Sequence, residues 1–272
     1  MQQQGKIGFF DSGVGGLAIA RAVMSALPQY DYVYLGDTAH QPFGPKPAAD
    51  VRGYTQGGVA YLFGQGCELV IITCNTAVSQ ALRFIQQQFL PEHSPERRVL
   101  GVIVPTAEAA VAATKTNAIG VLATQGTVEA RSFAEEIQKL RPTAIVYQQA
   151  APELVPLIEA GLHHRPETRI LVQHYLHALA QTTIDTLILG CTHYELISDV
   201  VAQVLPHVTI IHEGEVLIAR LQDYLARHPE LTQRLAQTKA LRICYTSHAE
   251  SFAILGQEFF GSPVQAEHVS LV

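Results

Sequence analysis

No apolar stretch in this sequence approaches the roughly 20 residues that a helix needs to cross a bilayer, and the opening MQQQGKIGFF has no basic segment ahead of a long apolar run. A soluble, cytoplasmic chain with no membrane partner is the expectation. Basic charge is scarce, with 18 Lys and Arg against 24 Asp and Glu, a net charge of −6 and a pI near 6.0. That balance offers no footprint for a polyanion, so no nucleic-acid partner is expected. Cysteine is sparse as well: Cys67, Cys74, Cys191 and Cys244 have no zinc-type pairing, and a chain of 272 residues needs no disulfide staple. The thiols are therefore expected to be reduced. His163-His164 and the pair His174/His177 have no Cys or carboxylate at ligand spacing beside them, so no metal site is expected. What the chain has in quantity is apolar character, 48% hydrophobic against 15% charged residues, which is the balance of a globular protein with a sizeable core.

Short β-rich runs recur between helical patterns: KIGFF, YVYLG, ELVIIT, RVLGVIV, AIGVLAT, AIVYQ, TLILG, VTII and LRICYT. Such alternation predicts βαβ units and parallel sheets. Helical spacing follows two of these runs, at Ala77, Ala81, Ile85 and Phe89 and again at Tyr194, Ile197, Val200, Val201 and Val204. The Pro- and charge-rich LPEHSPERR, residues 90–98, suits a crossover between halves, and a second crossover fits near LPHV, 205–208. The expected division is a first α/β domain of residues 1–98 plus 209–272 and a second of 99–208.

Two of the cysteines share a local setting. Cys74 in ELVIITCNTAVS and Cys191 in DTLILGCTHYEL each stand where an apolar run stops and a polar turn opens a helix. Helix N-terminal amides favour thiolate, and predict a Cys pKa drawn from about 8.5 to roughly 3.5–7.5. Two such thiols, one from each half, could face one substrate from opposite sides, as a cofactor-free racemase requires. Cys67 and Cys244 lack polar neighbours of this kind and read as inert buried thiols. His193 is placed to act as acid/base beside Cys191, and Asp11 beside Cys74; the competing readings are a surface His at a helix start and an Asp capping the first helix. Gly13, Gly15 and Gly16 in IGFFDSGVGGLAIARAV permit close approach of backbone amides to an anion. Gly13-x-Gly15-x-x-Ala18 followed by Asp37 also fits a variant dinucleotide fingerprint, against which stands the Asp11 carboxylate, which would repel a pyrophosphate.

The segments FFDSGVGGL, YLGDTAHQPFG, TCNTA, GVLATQGTV, LVPLIEAG and LILGCTHY, taken together, resemble the glutamate racemases of the aspartate/glutamate racemase family. The resemblance implies two similar α/β domains, each with a mainly parallel sheet flanked by helices, and an active site in the cleft between them. It implies Cys74 as the base toward D-glutamate and Cys191 toward L-glutamate, assisted by Asp11, His193 and Glu159. Substrate binding would fall to Ser12, Pro42, Phe43, Gly44, Asn75, Thr76, Thr124, Thr127 and Thr192. It further implies no cofactor, a homodimer, and a role in supplying D-glutamate for peptidoglycan.

Departures from the family pattern are Phe43 for Tyr, Thr106 for Gly, Ala151 for Cys, Glu195 for Pro, and His212-Glu213 for Asp-Ser. Glu195 and Glu213 would raise a nearby thiol's pKa if they face the cleft. The alternatives are a racemase for aspartate or another acidic amino acid, a nicotinamide-dependent oxidoreductase using the Gly13 loop, and a non-catalytic amino-acid-binding paralogue.

Overall fold

The structure, a computed structural model, describes residues 4–271. Among the described residues ten strands form two sheets, and every recorded pairing between strands is parallel. The strands are β1 (Lys6–Asp11), β2 (Tyr32–Gly36), β3 (Cys67–Ile72), β4 (Arg98–Gly101), β5 (Ala118–Ala123), β6 (Ile145–Ala150), β7 (Thr186–Gly190), β8 (Thr209–Ile211), β9 (Leu241–Tyr245) and β10 (Ala266–His268). The first sheet has the order β10-β9-β2-β1-β3-β4, the second β6-β5-β7-β8. Fully buried strands such as Tyr32–Gly36 and Ala118–Ala123 are apolar throughout rather than alternating, because helices cover both faces of a parallel sheet.

The strand orders determine where a ligand can bind. In the first sheet β2 lies on one side of β1 and β3 on the other; in the second, β6 and β7 flank β5 in the same way. At each such reversal the connections leave in opposite directions and open a crevice at the carboxyl ends of the strands. Asp11 and Cys74 stand at the β1/β3 crevice, Thr124 and Cys191 at the β5/β7 crevice.

Three helices pack around the first crevice: α1 (Gly16–Ala26), α2 (Ala48–Gly64) and α3 (Asn75–Phe84). The buried face of α2 carries Val51, Thr55, Gly58, Val59 and Leu62, at three- and four-residue spacing. Among the described residues no helix is long and apolar enough to span a membrane.

Three local expectations are corrected. RVLGVIV is strand only through Gly101, and Ile103–Ala113 is helix with Pro105 in its first turn; a buried helix and a buried strand present the same apolar run. The crossovers also lie later than expected. Residues 90–93 continue a helix, β4 still pairs with β3 in the first sheet, and β8, at the expected return of 209, pairs with β7 in the second. After Cys191 the chain forms a tight 3₁₀ segment, Thr192–Ile197, before the α-helix Ser198–Val204.

Gly58 is where α2 meets β1: a β-carbon there would lie inside the van der Waals surface of the Phe10 ring, whereas at Gly53 and Gly57 nothing lies within 4 Å. Gly58→Ala is therefore expected to destabilise by about 1–3 kcal/mol through overpacking. Gly53→Ala and Gly57→Ala should each stabilise by up to about 1 kcal/mol through helix propensity. Urea unfolding of the three variants checks this, and equal effects at all three positions would refute the close α2–β1 contact.

Candidate active site

Both thiols terminate backbone turns rather than lying within strands. Cys74 is the residue before α3, with φ −65° and ψ 115°, and Cys191 precedes the 3₁₀ segment with φ −156° and ψ 130°. Extended backbone at the end of a strand turns each side chain out of the sheet and toward the facing half. Cys74 is 6% and Cys191 8% exposed, and both line one cavity of about 20 Å³. That is room for about one water molecule. Ser12, Phe43, Gly44, Asn75, Thr76, Thr124, Glu159, Thr192 and His193 complete the lining, joined by Val155 from the same LVPLIEAG segment as Glu159.

Asp11, Pro42 and Thr127 do not line the cavity. Asp11 is wholly buried behind it, where its carboxylate accepts from the Gly13 N–H (3.0 Å) and the Thr73 hydroxyl (2.8 Å). These bonds hold the turn ahead of α1, whose first residues receive no side-chain cap, and Thr73 is a partner the sequence reading missed. Thr127 is buried in a cluster of hydroxyls, 3.0 Å from Thr124 Oγ1 and 3.4 Å from Thr76 Oγ1, with Thr76 to Thr124 at 2.8 Å. Because Thr76 belongs to α3 and the other two follow β5, this cluster ties the two sheets together. Pro42 is half-buried beside Phe43, whose ring packs against Phe10 and Tyr54.

His193 is buried, not at the surface. Its Nε2 lies 3.2 Å from Glu159 Oε1, close enough for an ion pair but too poorly aligned for a hydrogen bond. Its ring meets Phe259 edge-on at 5.4 Å. Gly15 makes this approach possible: a β-carbon there would collide with the Thr192 hydroxyl and stand 2.8 Å from His193 Nδ1.

The electrostatics overturn one expectation. Burial pushes the Cys74 thiol up to about 12, reinforced by the Asp11 carboxylate, despite hydrogen bonds from Ser12 and the Ala77 N–H that favour the thiolate. Burial also holds Cys191 well above its ordinary value, against the His193 backbone N–H, with Cys74, Asp11 and Glu213 adding like charge. The helix-start amides act in the expected direction, and desolvation outweighs them. Asp11 is itself raised by burial, opposed by His193 and its own hydrogen bonds.

Glu213 is 5% exposed; its Oε2 accepts from Asn75 Nδ2 at 3.0 Å while Oε1 has no partner. Burial, with Glu195 and Asp11 nearby, raises it to about 8. Glu195 pairs with His212 at 3.0 Å. These residues line a separate hollow of about 180 Å³ on the far side of Cys191. It is lined by Glu195, Glu213 and Glu215 together with Arg21 and His212, and Cys74 does not reach it. Asp37, the ribose acid of the dinucleotide alternative, is buried and engaged by His40 and Thr246 at 2.9 Å each, which leaves no carboxylate for a ribose.

An α/β protein with a thiol from each of two parallel sheets lining one cavity at their seam has the layout expected of a two-base proton-transfer enzyme. The chain belongs to the Asp/Glu/Hydantoin racemase family, whose model matches residues 17–221. It is 37% identical over 265 residues to the glutamate racemase of Desulforudis audaxviator, covering 95% of this chain and 94% of that one. Glutamate racemase isoform RacE1 of Bacillus anthracis superposes with a TM-score of 0.90 at 30% identity, covering 99% of each chain. The Francisella tularensis glutamate racemase, solved in complex with D-glutamate, gives 0.89 at 30% identity over 99% of this chain and 98% of that one.

The buried acid at Glu213 has a consequence for stability. Between its unfolded value of 4.5 and its folded value of about 8, the folded chain retains a proton that the unfolded chain has released. Stability contributed by this group therefore falls as pH rises through that window, by up to about 1.4 kcal/mol per unit. Urea midpoints at pH 5, 6.5 and 8 should decline less steeply for Glu213→Gln than for the parent; parallel slopes would refute a buried, protonated Glu213.

Proposed function

We propose that this chain is a cofactor-independent glutamate racemase that interconverts L- and D-glutamate by a two-base mechanism and supplies D-glutamate for peptidoglycan in the cytoplasm. The observation that carries the reading is the placement of Cys74 and Cys191, one from each sheet, on a single closed cavity. Removing an α-proton from one face and returning one to the other needs a base and an acid on opposite sides. A thiolate and a thiol meet that need and exchange states at each turnover. Cys74 is the base toward D-glutamate and Cys191 toward L-glutamate.

The raised thiols fit this chemistry. A desolvated thiolate is a stronger base, which narrows the gap to a weakly acidic α-carbon. The α-ammonium of a bound amino acid brings positive charge beside the thiols, so substrate binding favours ionisation of one of them. Hydroxyls and amides of Ser12, Asn75, Thr76, Thr124 and Thr192 would receive the carboxylates and the developing carbanion charge. Phe43 and Gly44 shape the lip from the first half, with Pro42 and Thr127 positioning it from behind. Asp11 and His193 tune the thiol on their own side, and Glu159 orients His193.

The proposal includes two units; the expected bounds of 1–98 with 209–272 and of 99–208 become 1–101 with 212–272 and 102–211, which keeps β4 and β8 with their sheets. It also includes a homodimer, which rests on the family resemblance.

Proton NMR of L- and D-glutamate in D2O with reduced protein and no added cofactor is expected to show loss of the α-proton signal and appearance of the opposite enantiomer from either start. No exchange from either enantiomer, with exchange from aspartate, would move the assignment to aspartate; binding without exchange would favour a non-catalytic paralogue. Cys74→Ser and Cys191→Ser should each abolish racemisation, and normal turnover in either would refute the two-base assignment. Asp11→Asn and His193→Asn are expected to lower kcat by about 10²–10⁴ with little change in KM. Unchanged kcat in both would return these residues to structural roles.

A further inference from the structure

Away from the cavity, one cluster of titratable side chains bridges the two sheets. His163 and His164 lie in the turn between helix Leu154–Glu159 and helix Pro166–Ala180, on the four-stranded side. Glu258 comes from helix Ala249–Phe260, which connects β9 to β10 in the six-stranded sheet. Glu258 Oε1 stands 2.7 Å from His163 Nε2 and 3.3 Å from His164 Nε2. His163 is 3% exposed, while His164 and Glu258 are open to solvent. The sequence reading took neither Glu159 nor Glu167 as a ligand beside these histidines, and its expectation of no metal site was drawn without Glu258, which only the fold delivers.

Two imidazole nitrogens converge on one carboxylate oxygen, and the three ligand atoms all lie within 4.8 Å of one another. Zinc bonds of about 2.0–2.2 Å in a tetrahedron set ligand atoms about 3.3 Å apart. The His164–Glu258 separation of 3.3 Å already has that value, the His163–Glu258 hydrogen bond at 2.7 Å must open by about 0.6 Å to reach it, and rotation of the exposed His164 closes the remaining pair. Among the described residues the buried His163 has no hydrogen-bond partner at Nδ1, and its hydrogen bond through Nε2 is to Glu258.

We propose that His163, His164 and Glu258 form a binding site for a divalent first-row transition ion, with zinc the best match to two imidazoles and a carboxylate. Three protein ligands leave a fourth position for water. The ion would join the helix that carries Phe259 to the turn that follows Glu159, and both of those residues touch His193. It would thus brace the closed cleft from outside, at a distance from the thiols. Binding at this site does not depend on the racemase reading.

The test is calorimetric titration of Zn²⁺ into the metal-free, full-length protein, compared with His164→Ala, Glu258→Gln and a Cys74→Ser/Cys191→Ser double variant, each checked for native circular dichroism. One zinc per chain is expected for the parent and the double-Ser variant, together with a higher Tm in its presence. Affinity should fall by at least about tenfold in His164→Ala and Glu258→Gln, the lower end of what outer-shell substitutions alone cause. Unchanged affinity in those two variants would overturn the proposal, as would loss of binding in the double-Ser variant, which would assign the zinc to the thiols. No binding by the parent would reduce the cluster to a hydrogen-bonded contact and overturn it equally.

Discussion

Desolvation at the seam between the two sheets is the constraint on which the rest of the structure depends. Two thiols, two carboxylates and an imidazole are gathered where water is nearly excluded, and each charged form there must be offset by a specific neighbour. Asp11 is held by the Gly13 N–H and the Thr73 hydroxyl, Glu213 by Asn75. The thiols are less fully compensated. Their helix-start amides lower the cost of a thiolate without removing it, and this leaves the site poised for a ligand that brings positive charge of its own.

The seam is held together by contacts that cross it at several points. The threonine hydroxyls of Thr76, Thr124 and Thr127, the Gly126 N–H donating to the Gly44 carbonyl at 3.0 Å, and the fit of Thr192 and His193 against Gly15 all join one half to the other. A cavity of about 20 Å³ cannot admit an amino acid while these contacts are intact. Entry therefore requires the halves to part, and the hydrogen bonds at Thr76 and Gly44 are ones that water can replace when they do.

The strand–helix alternation and the paired cysteines were legible in the sequence because each is local: a run of apolar residues, then a polar turn. The second thiol's helix was read one turn too regular, since the 3₁₀ segment at Thr192–Ile197 presents the same apolar spacing as an α-helix. The direction of the thiol shifts was misread for a different reason. Helix amides are visible in the residues around Cys74, but the depth of burial depends on how the two sheets close, which no short segment encodes. Asp37, His163 and Glu258 follow the same rule, since their partners lie far along the chain at Thr246 or across the seam.

The near-equivalence of the two crevices, β1/β3 and β5/β7, has a kinetic consequence for a racemase. Mirror-image substrates have equal free energies in water, so the ratio kcat/KM must be the same in both directions whatever the protein does. Cys74 beside Asp11 and Cys191 beside Glu213 are nevertheless chemically unlike. Their asymmetry can appear only as a paired change: the enantiomer that binds more tightly must also turn over more slowly, by the same factor.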